Sequence, residues 1–314
     1  MNAPFFSIIM PTYNRSDVII PVINAILEQD CLDFELIIID DGSTDNTLEI
    51  LHNIKDPRVK ILTQANNRQT QARKKGCEYA SGDVFAFCDS DDIWIPSYLS
   101  DLKNVFTEYD ADYVFTNYQV EGELKPRIDL DNRNTAFWLT KNSTKLGNNI
   151  FHFSDLYSAL IEYQPIFCSC QAITKKHYIS IGGISERINN KKLGTDLASE
   201  DTHVMMRSAI TTNSYFINKT SVRLGRQGDN CSSSFTANLR GGLKILLDIL
   251  KHTKLSSNHT RLTKKSIREH RQALAKQIYY FEPKSNYIRH YLSQPKVQLC
   301  FKNHAHFFLA VLKN

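Results

Sequence analysis

Short apolar runs closed by turn-forming residues alternate with helical stripes over the first ninety positions. Ser7-Ile8-Ile9-Met10 stops at Pro11, as a buried strand does on entering a loop. Between residues 16 and 29, Val18, Ile19, Val22, Ile23, Ile26 and Leu27 recur at three- and four-residue spacing, which predicts a helix. Residues 34–39 read as a second buried strand, closed by Asp40-Asp41-Gly42-Ser43. A helix is expected over 44–53, a strand at 59–62, a helix over 68–80 and a further strand at 83–88, closed by Asp89-Ser90-Asp91-Asp92. This alternation predicts an α/β fold with a mostly parallel sheet and flanking helices. Such sheets bind ligands outside the carboxyl ends of their strands. Here those ends carry three polar clusters: Pro11-Thr12-Tyr13-Asn14, Asp40-Asp41, and Asp89 through Asp92.

The pattern weakens between residues 113 and 143, where a loop or short hairpin over the site is expected. Periodicity returns at 167–173, followed by a tight turn at Gly182-Gly183, where glycine supplies positive φ. Glu200-Asp201 opens a helix that runs through Val204, Met205, Met206 and Arg207. Beyond Ser234 the chain reads as helical and basic to its end.

Composition narrows the class. A chain of 314 residues, 42% hydrophobic and 23% charged, is that of an ordinary globular protein. The first residues carry no basic leader, and no run approaches the roughly 18 apolar residues of a membrane span. Seven scattered cysteines fit a reducing compartment, and Cys168-Ser169-Cys170 lacks the spacing of a zinc or redox pair. A cytoplasmic location is therefore expected.

Charge divides the chain in two. Residues 236–314 hold fifteen Lys or Arg against Asp248, Glu269 and Glu282, a net of +12. Residues 1–235 hold the other 23 bases and 30 acids, a net of −7. In the basic part Leu239, Leu243, Leu246, Leu247 and Leu250 form one apolar stripe, and Ile267, Leu274, Ile278 and Phe281 a second. Such helices suit the inner face of an anionic membrane, and equally a helical core or a homo-oligomer contact with a solvated basic face. No nucleic-acid motif accompanies them.

Three carboxylates within Asp89-Ser90-Asp91-Asp92 repel one another unless cations or donors neutralise them. Oxygen ligands of this kind suit Mg²⁺ or Mn²⁺ shared with a substrate phosphate; a solvated helix-capping turn is the plain alternative. Asp40-Asp41-Gly42-Ser43-Thr44-Asp45 serves as a cap and turn, or offers Asp41 to a base NH or a ribose hydroxyl.

In order, spacing and strand context, residues 5–234 resemble the inverting family-2 glycosyltransferases of the GT-A fold. The stretches that match are Ser7-Ile8-Ile9-Met10-Pro11-Thr12-Tyr13-Asn14-Arg15, Ile37-Ile38-Ile39-Asp40-Asp41-Gly42-Ser43-Thr44-Asp45, and Phe87-Cys88-Asp89-Ser90-Asp91-Asp92-Ile93-Trp94. Asn67, Ala72-Arg73, Gly76 and Gly82-Asp83 lie between the last two. The resemblance implies a Rossmann-like GT-A catalytic domain over residues 1–235, its donor half about 1–112 and its acceptor half about 113–235, with a basic helical extension at 236–314. It implies donor contacts at Pro11, Tyr13, Asp41, Asn67, Arg73, Asp89, Ser90 and Asp91, with Mn²⁺ or Mg²⁺ held by Asp91 and Asp89. Glu200-Asp201 matches the family's Glu-Asp pair, Asp201 as general base. Asp92, Trp94 and Arg226 fall on the acceptor side.

The activity implied is metal-dependent transfer of a hexosyl or N-acetylhexosaminyl group from a nucleotide-diphosphate donor, a UDP-sugar, to a glycan or lipid-linked acceptor in bacterial surface polysaccharide synthesis. There are two departures. Gln227 stands where many relatives place a histidine, and Arg68 follows Asn67 where a small residue is common. A nucleotidyltransferase would want a glycine-rich basic loop near the N-terminus, which residues 11–17 are not. A non-catalytic sugar-binding protein would not need Asp89, Asp91 and Asp201 together.

Overall fold

The computed structural model describes residues 3–185, 187, 200–211, 213–225 and 235–281. Its contacts divide the chain into two compact units, 1–185 with 200–228, and 186–199 with 229–314.

The first unit is built on a mixed sheet. Strands β1 (Phe6–Thr12), β2 (Phe34–Asp40), β3 (Val59–Thr63) and β4 (Val84–Phe87) run parallel in the order β3-β2-β1-β4. Every residue of β1 and β2 is buried, which is why Ile8-Ile9-Met10 and residues 36–39 read as apolar runs. Helices α1 (Ile19–Leu27), α2 (Thr47–His52) and α3 (Arg68–Tyr79) connect them. The short strand β5 (Ile93–Trp94) and helix α4 (Tyr98–Tyr109) follow.

Past β4 the sheet continues through β9 (Gln171–Thr174), β6 (Tyr113–Val120), β10 (Ser214–Leu224), β8 (Ile150–Phe153) and β7 (Thr144–Lys145). β9 is antiparallel to both neighbours, β6 and β10 are parallel to each other, and β5 pairs antiparallel with the far end of β10. Helices α5 (Arg133–Asn142), α6 (Leu156–Glu162), α7 (Lys175–Ser180) and α8 (Glu200–Ser208), with a 3-10 turn at Cys168–Cys170, complete the unit.

The weakly patterned stretch 113–143 is loop only over residues 121–132. It supplies the eight-residue strand β6 and the helix α5. Polar residues hide the strand in the sequence, because Thr116 and Asn117 are buried within it. Asn117 pairs its side chain with Ile128 N, Ile128 O and Asn218 Oδ1 at 2.7–3.0 Å, so its burial leaves no unmet donor. α5 is capped by Asn132, whose side chain accepts from Asn134 N, and it buries only Trp138 and Leu139. That footprint is too narrow for a full stripe.

Helices α1 and α2 also begin later than their stripes suggest. Residues 13–17 and 41–46 are instead stitched into paired loops: Asn14 N donates to Ser43 Oγ, Thr44 N to Asn14 Oδ1, Arg15 N to Thr47 Oγ1 and Ser16 N to Asp45 Oδ2.

At the opposite, amino end of the strands Glu35 is buried on β2. It accepts from Ser7 Oγ, Ser81 N, Ser81 Oγ and Lys60 Nζ at 2.5–2.7 Å. Burial alone would raise its pKa. The bonds from Lys60, Ser7 and Ser81 outweigh that and hold it at about 2.

In the second unit, α9 (Phe235–His252) and α10 (Ser257–Phe281) pack together, with Leu239 and Leu243 against Leu274, Ala275, Ile278 and Tyr279. Arg187 pairs with Asp248 at 3.0 Å. Of the stripe residues, Leu239, Leu243, Leu274 and Ile278 are therefore occupied within the helix pair, while Leu247 is exposed. No described helix is long and apolar enough to cross a membrane.

Candidate functional site

The three polar clusters meet at the carboxyl ends of the parallel strands. In the first loop Pro11 is buried and the Tyr13 ring is 42% exposed, so the loop presents an aromatic face. In the second, Asp41 is buried with Oδ1 accepting from Gln64 Nε2 and Asn67 N, both at 2.8 Å. Asn67 thus contributes its backbone to fixing Asp41. Asp40 turns back to accept from Gly42 N and Ser43 N at 3.2 and 3.0 Å. The turn needs glycine at 42: φ is +79°, and a Cβ there would lie 2.8 Å from Asn66 N.

The third cluster, the aspartate loop after β4, is held from every side. Asp89 accepts through Oδ1 from Gln69 Nε2 at 3.0 Å and Arg73 Nη2 at 2.6 Å. Its backbone N donates to Ser169 Oγ at 2.9 Å. Ser90 is buried. Asp92 accepts from Ser169 Oγ and from Gly225 N. Asp91 is half-buried, its side chain 15% exposed against 28% for Asp89, with Arg15 Nη2 3.8 Å from its carboxylate. Burial and then the charge of Asp89 raise the Asp91 pKa, against the pull of Arg15.

Asp92 and Trp94, expected on the acceptor side, are turned into the protein. Both are buried, and the indole Nε1 donates to Ser169 O at 3.1 Å beside the Tyr98 hydroxyl, which reaches the same carbonyl at 3.2 Å. Burial and the charge of Asp89 push the Asp92 pKa well up. The physical reason is support: the loop carries repelling carboxylates, and these two side chains anchor it to the 3-10 turn and to the end of β10. Arg226 and Gln227 lie outside the described residues.

Arg73, expected among the donor contacts, is also buried. Its side chain is 2% exposed, and it binds two carboxylates, Asp89 and Glu200. Glu200, the first residue of α8, is itself buried and accepts from Thr70 Oγ1 at 3.0 Å as well as from Arg73. Asp201, next along α8, lines a small enclosure with Arg73, Phe87, Cys168 and Gln171. Burial raises the Asp201 pKa, and Arg73 partly opposes the rise.

Gln64, Gln69, Thr70 and Ser169 hold the site's acids without any sequence signal of their own. The first three lie before or within a helix of low apolar contrast. Ser169 sits between two cysteines that drew attention for their spacing alone. No motif flags any of them.

Thr12 Oγ1, Asp40 Oδ2 and Arg73 Nε, all buried at this end of the sheet, have no partner among the described residues. Nor does any group of three metal-binding side chains gather among them. A cavity of about 640 Å³ opens beside Asp91, between the start of α1 and the ends of β6 and β10. Of the residues anticipated above it touches Asp91 alone.

The family model described as Glycosyl transferase family 2 matches residues 7–164, half of the chain. The Escherichia coli UDP-Glc:alpha-D-GlcNAc-diphosphoundecaprenol beta-1,3-glucosyltransferase WfgD is 36% identical over 115 residues, 36% of this chain and 46% of that protein. The chain thus spans less than half the length of the curated relatives it matches. Among solved structures, S. aureus TarS 1-349 in complex with UDP-GlcNAc superposes with a TM-score of 0.63 at 18% identity, covering 99% of this chain and 79% of that one. Mannosyltransferase PcManGT from Pyrobaculum calidifontis, in complex with GDP-Man and Mn2+, gives 0.60 at 15% identity, over 100% and 88% of the two chains. At these identities the likeness shows the GT-A fold.

Proposed function

The chain belongs to glycosyl transferase family 2, and from that membership we propose that it moves a sugar from a UDP-linked donor to a hydroxyl of a lipid-linked glycan, with inversion, as a step in surface polysaccharide synthesis. The observation that carries this reading is a convergence at one end of the sheet. Helix α3 meets all three parts of the site: Asn67 N at its start braces Asp41, and its Arg73 binds Asp89 and Glu200, the neighbours of Asp91 and Asp201. The relative that acts on UDP-Glc and a diphosphoundecaprenol-linked sugar supports the choice of donor and acceptor class.

In this reading the base stacks on Tyr13, and Asp41 accepts from the base NH or ribose while Gln64 and Asn67 N hold it still. Pro11 shapes the turn beneath, and Ser90 offers its backbone to the ribose. The donor set suits a divalent cation shared with substrate. Asp91 carries a raised pKa because it is buried beside Asp89, and a cation relieves that strain. Asp91 would be its main ligand, with Asp89 at its side. When bound, Mn²⁺ or Mg²⁺ would neutralise the departing diphosphate. Asp201 takes the proton of the acceptor hydroxyl as that oxygen attacks the anomeric carbon from the side opposite the leaving group, which inverts its configuration.

The test is a screen of UDP-glucose, UDP-N-acetylglucosamine and their galacto epimers for thermal stabilisation and for transfer to diphosphoundecaprenol-linked sugars, with and without Mn²⁺. Release of UDP that depends on the acceptor supports the reading. A protein that neither binds nor consumes any of these donors contradicts it.

A further inference from the structure

We propose that Arg73 is a positioning residue, whose guanidinium ties the aspartate loop to the first turn of α8 and so sets where Asp201 stands. The inference rests on Asp201 being the proton acceptor, as proposed above.

Three residues on one stretch of α3 carry the argument. Gln69 donates to Asp89, Thr70 donates to Glu200, and Arg73 donates to both carboxylates. One helix thus grips two segments that are 111 positions apart in the chain (Asp89 and Glu200) and that hold the two halves of the reaction. The grip lies below the donor surface, since the Arg73 side chain is 2% exposed and Glu200 1%. Buried ion triads are poor devices for stability, because apolar residues of the same volume replace them without loss in many proteins. This one even leaves Arg73 Nε buried without a partner among the described residues. What a guanidinium supplies that an apolar side chain cannot is fixed geometry in two directions and a positive charge. The charge reaches Asp201: burial raises that carboxyl's pKa, and Arg73 is the strongest influence opposing it. Glu200 serves as the handle through which the same cation holds the helix.

The experiment compares full-length wild type with Arg73→Met, Arg73→Lys and Glu200→Gln. Its readouts are UDP affinity by calorimetry in Mn²⁺, and kcat against pH on whichever of UDP-glucose or UDP-N-acetylglucosamine the wild type uses. For Arg73→Met the expected result is UDP affinity within about threefold of wild type, kcat lower by tenfold or more, and an acid limb moved to higher pH. The sign follows from the loss of the cation, which raises the pKa of a base that works only when ionised. Guanidinium chloride at millimolar concentration should restore part of the rate, and Arg73→Lys should keep more of it than Arg73→Met. Unchanged kcat and pH profile overturn the proposal, as does a parallel loss of UDP affinity, which would make Arg73 part of the nucleotide pocket. If Arg73→Met is insoluble, Arg73→Lys and Glu200→Gln decide by the same readouts. If the wild type consumes no UDP-sugar, the proposed function has failed. The crystal structure of Arg73→Met then decides separately: a displaced Asp201 supports the positioning role, and an unmoved one overturns it.

Discussion

Asp201 and Asp91 are both carboxylates with raised pKa, but the tasks proposed for them call for opposite behaviour on neutralisation. Asp201→Asn removes a base and should lower kcat by roughly 10²–10⁴, with UDP-sugar affinity little changed. Turnover should also fall on the acid side at a pH above the ordinary carboxylate range, since burial raises this pKa and only the ionised form accepts a proton. Affinity falling in step with kcat would move Asp201 into the donor pocket. Asp91→Asn removes a repelling charge, so the metal-free protein should melt no lower than wild type. Its turnover in Mn²⁺ should drop by about a hundredfold or more, the scale of lost electrostatic stabilisation. Full activity in that variant, or in wild type with excess chelator, would show the metal assignment to be wrong. At this scale the sequence marked the acids well, because strand ends loaded with aspartate are conspicuous. It marked their supports badly. Arg73 looks the same in a string whether it faces a base or a buried carboxylate, and nothing in the string shows that the Trp94 indole is bonded to Ser169 O.

At the level of elements, β1 and β2 were legible because burial on both faces leaves apolar runs at Ile8-Ile9-Met10 and at residues 36–39. β6 was not, because Asn117 solves its burial by hydrogen bonds that no residue pattern displays. The strands' amino ends hold a second device that can be tested apart from activity. Glu35 ties β1, β2, β3 and the turn before β4, with a folded pKa of about 2 against an ordinary 4.5. A depressed carboxyl pKa adds stability that is present above pH 4.5 and lost as pH falls toward 2, on the order of 2–3 kcal/mol. Wild type should therefore exceed Glu35→Gln in urea midpoint at pH 7, and the gap should close across that window. Two midpoints that fall in parallel with pH would mean that Glu35 stabilises nothing through its charge.

For the whole molecule, the charge split was readable from counting, but the direction of the leucines was not. Leu239 and Leu243 meet Leu274 and Ile278 inside the helix pair, which leaves the exposed bases Arg261, Lys264, Lys265 and Arg268 of α10 as the available attraction. We propose surface attachment by charge alone. Each such base near an anionic leaflet contributes about 1 kcal/mol, and salt screens it. The protein should sediment with phosphatidylserine-containing vesicles at low salt and leave them at high salt. Lys264→Glu with Lys265→Glu and Arg268→Glu should abolish that binding without changing the melting temperature. Equal sedimentation of the triple variant, or binding that resists salt, would discard attachment through this face. The aspartate loop has a different bearing on the molecule as a whole. Its anchors Ser169 and Gly225 lie 80 and 133 positions downstream of the groups they hold, and a Cβ at 225 would come within 2.3 Å of Asp91 O. The family match ends at residue 164, before either anchor. An exchange of donor specificity by grafting another relative's first 164 residues would therefore import the acids without their moorings. Swaps of this kind should succeed only when the serine between the cysteines and the glycine after β10 travel with the graft.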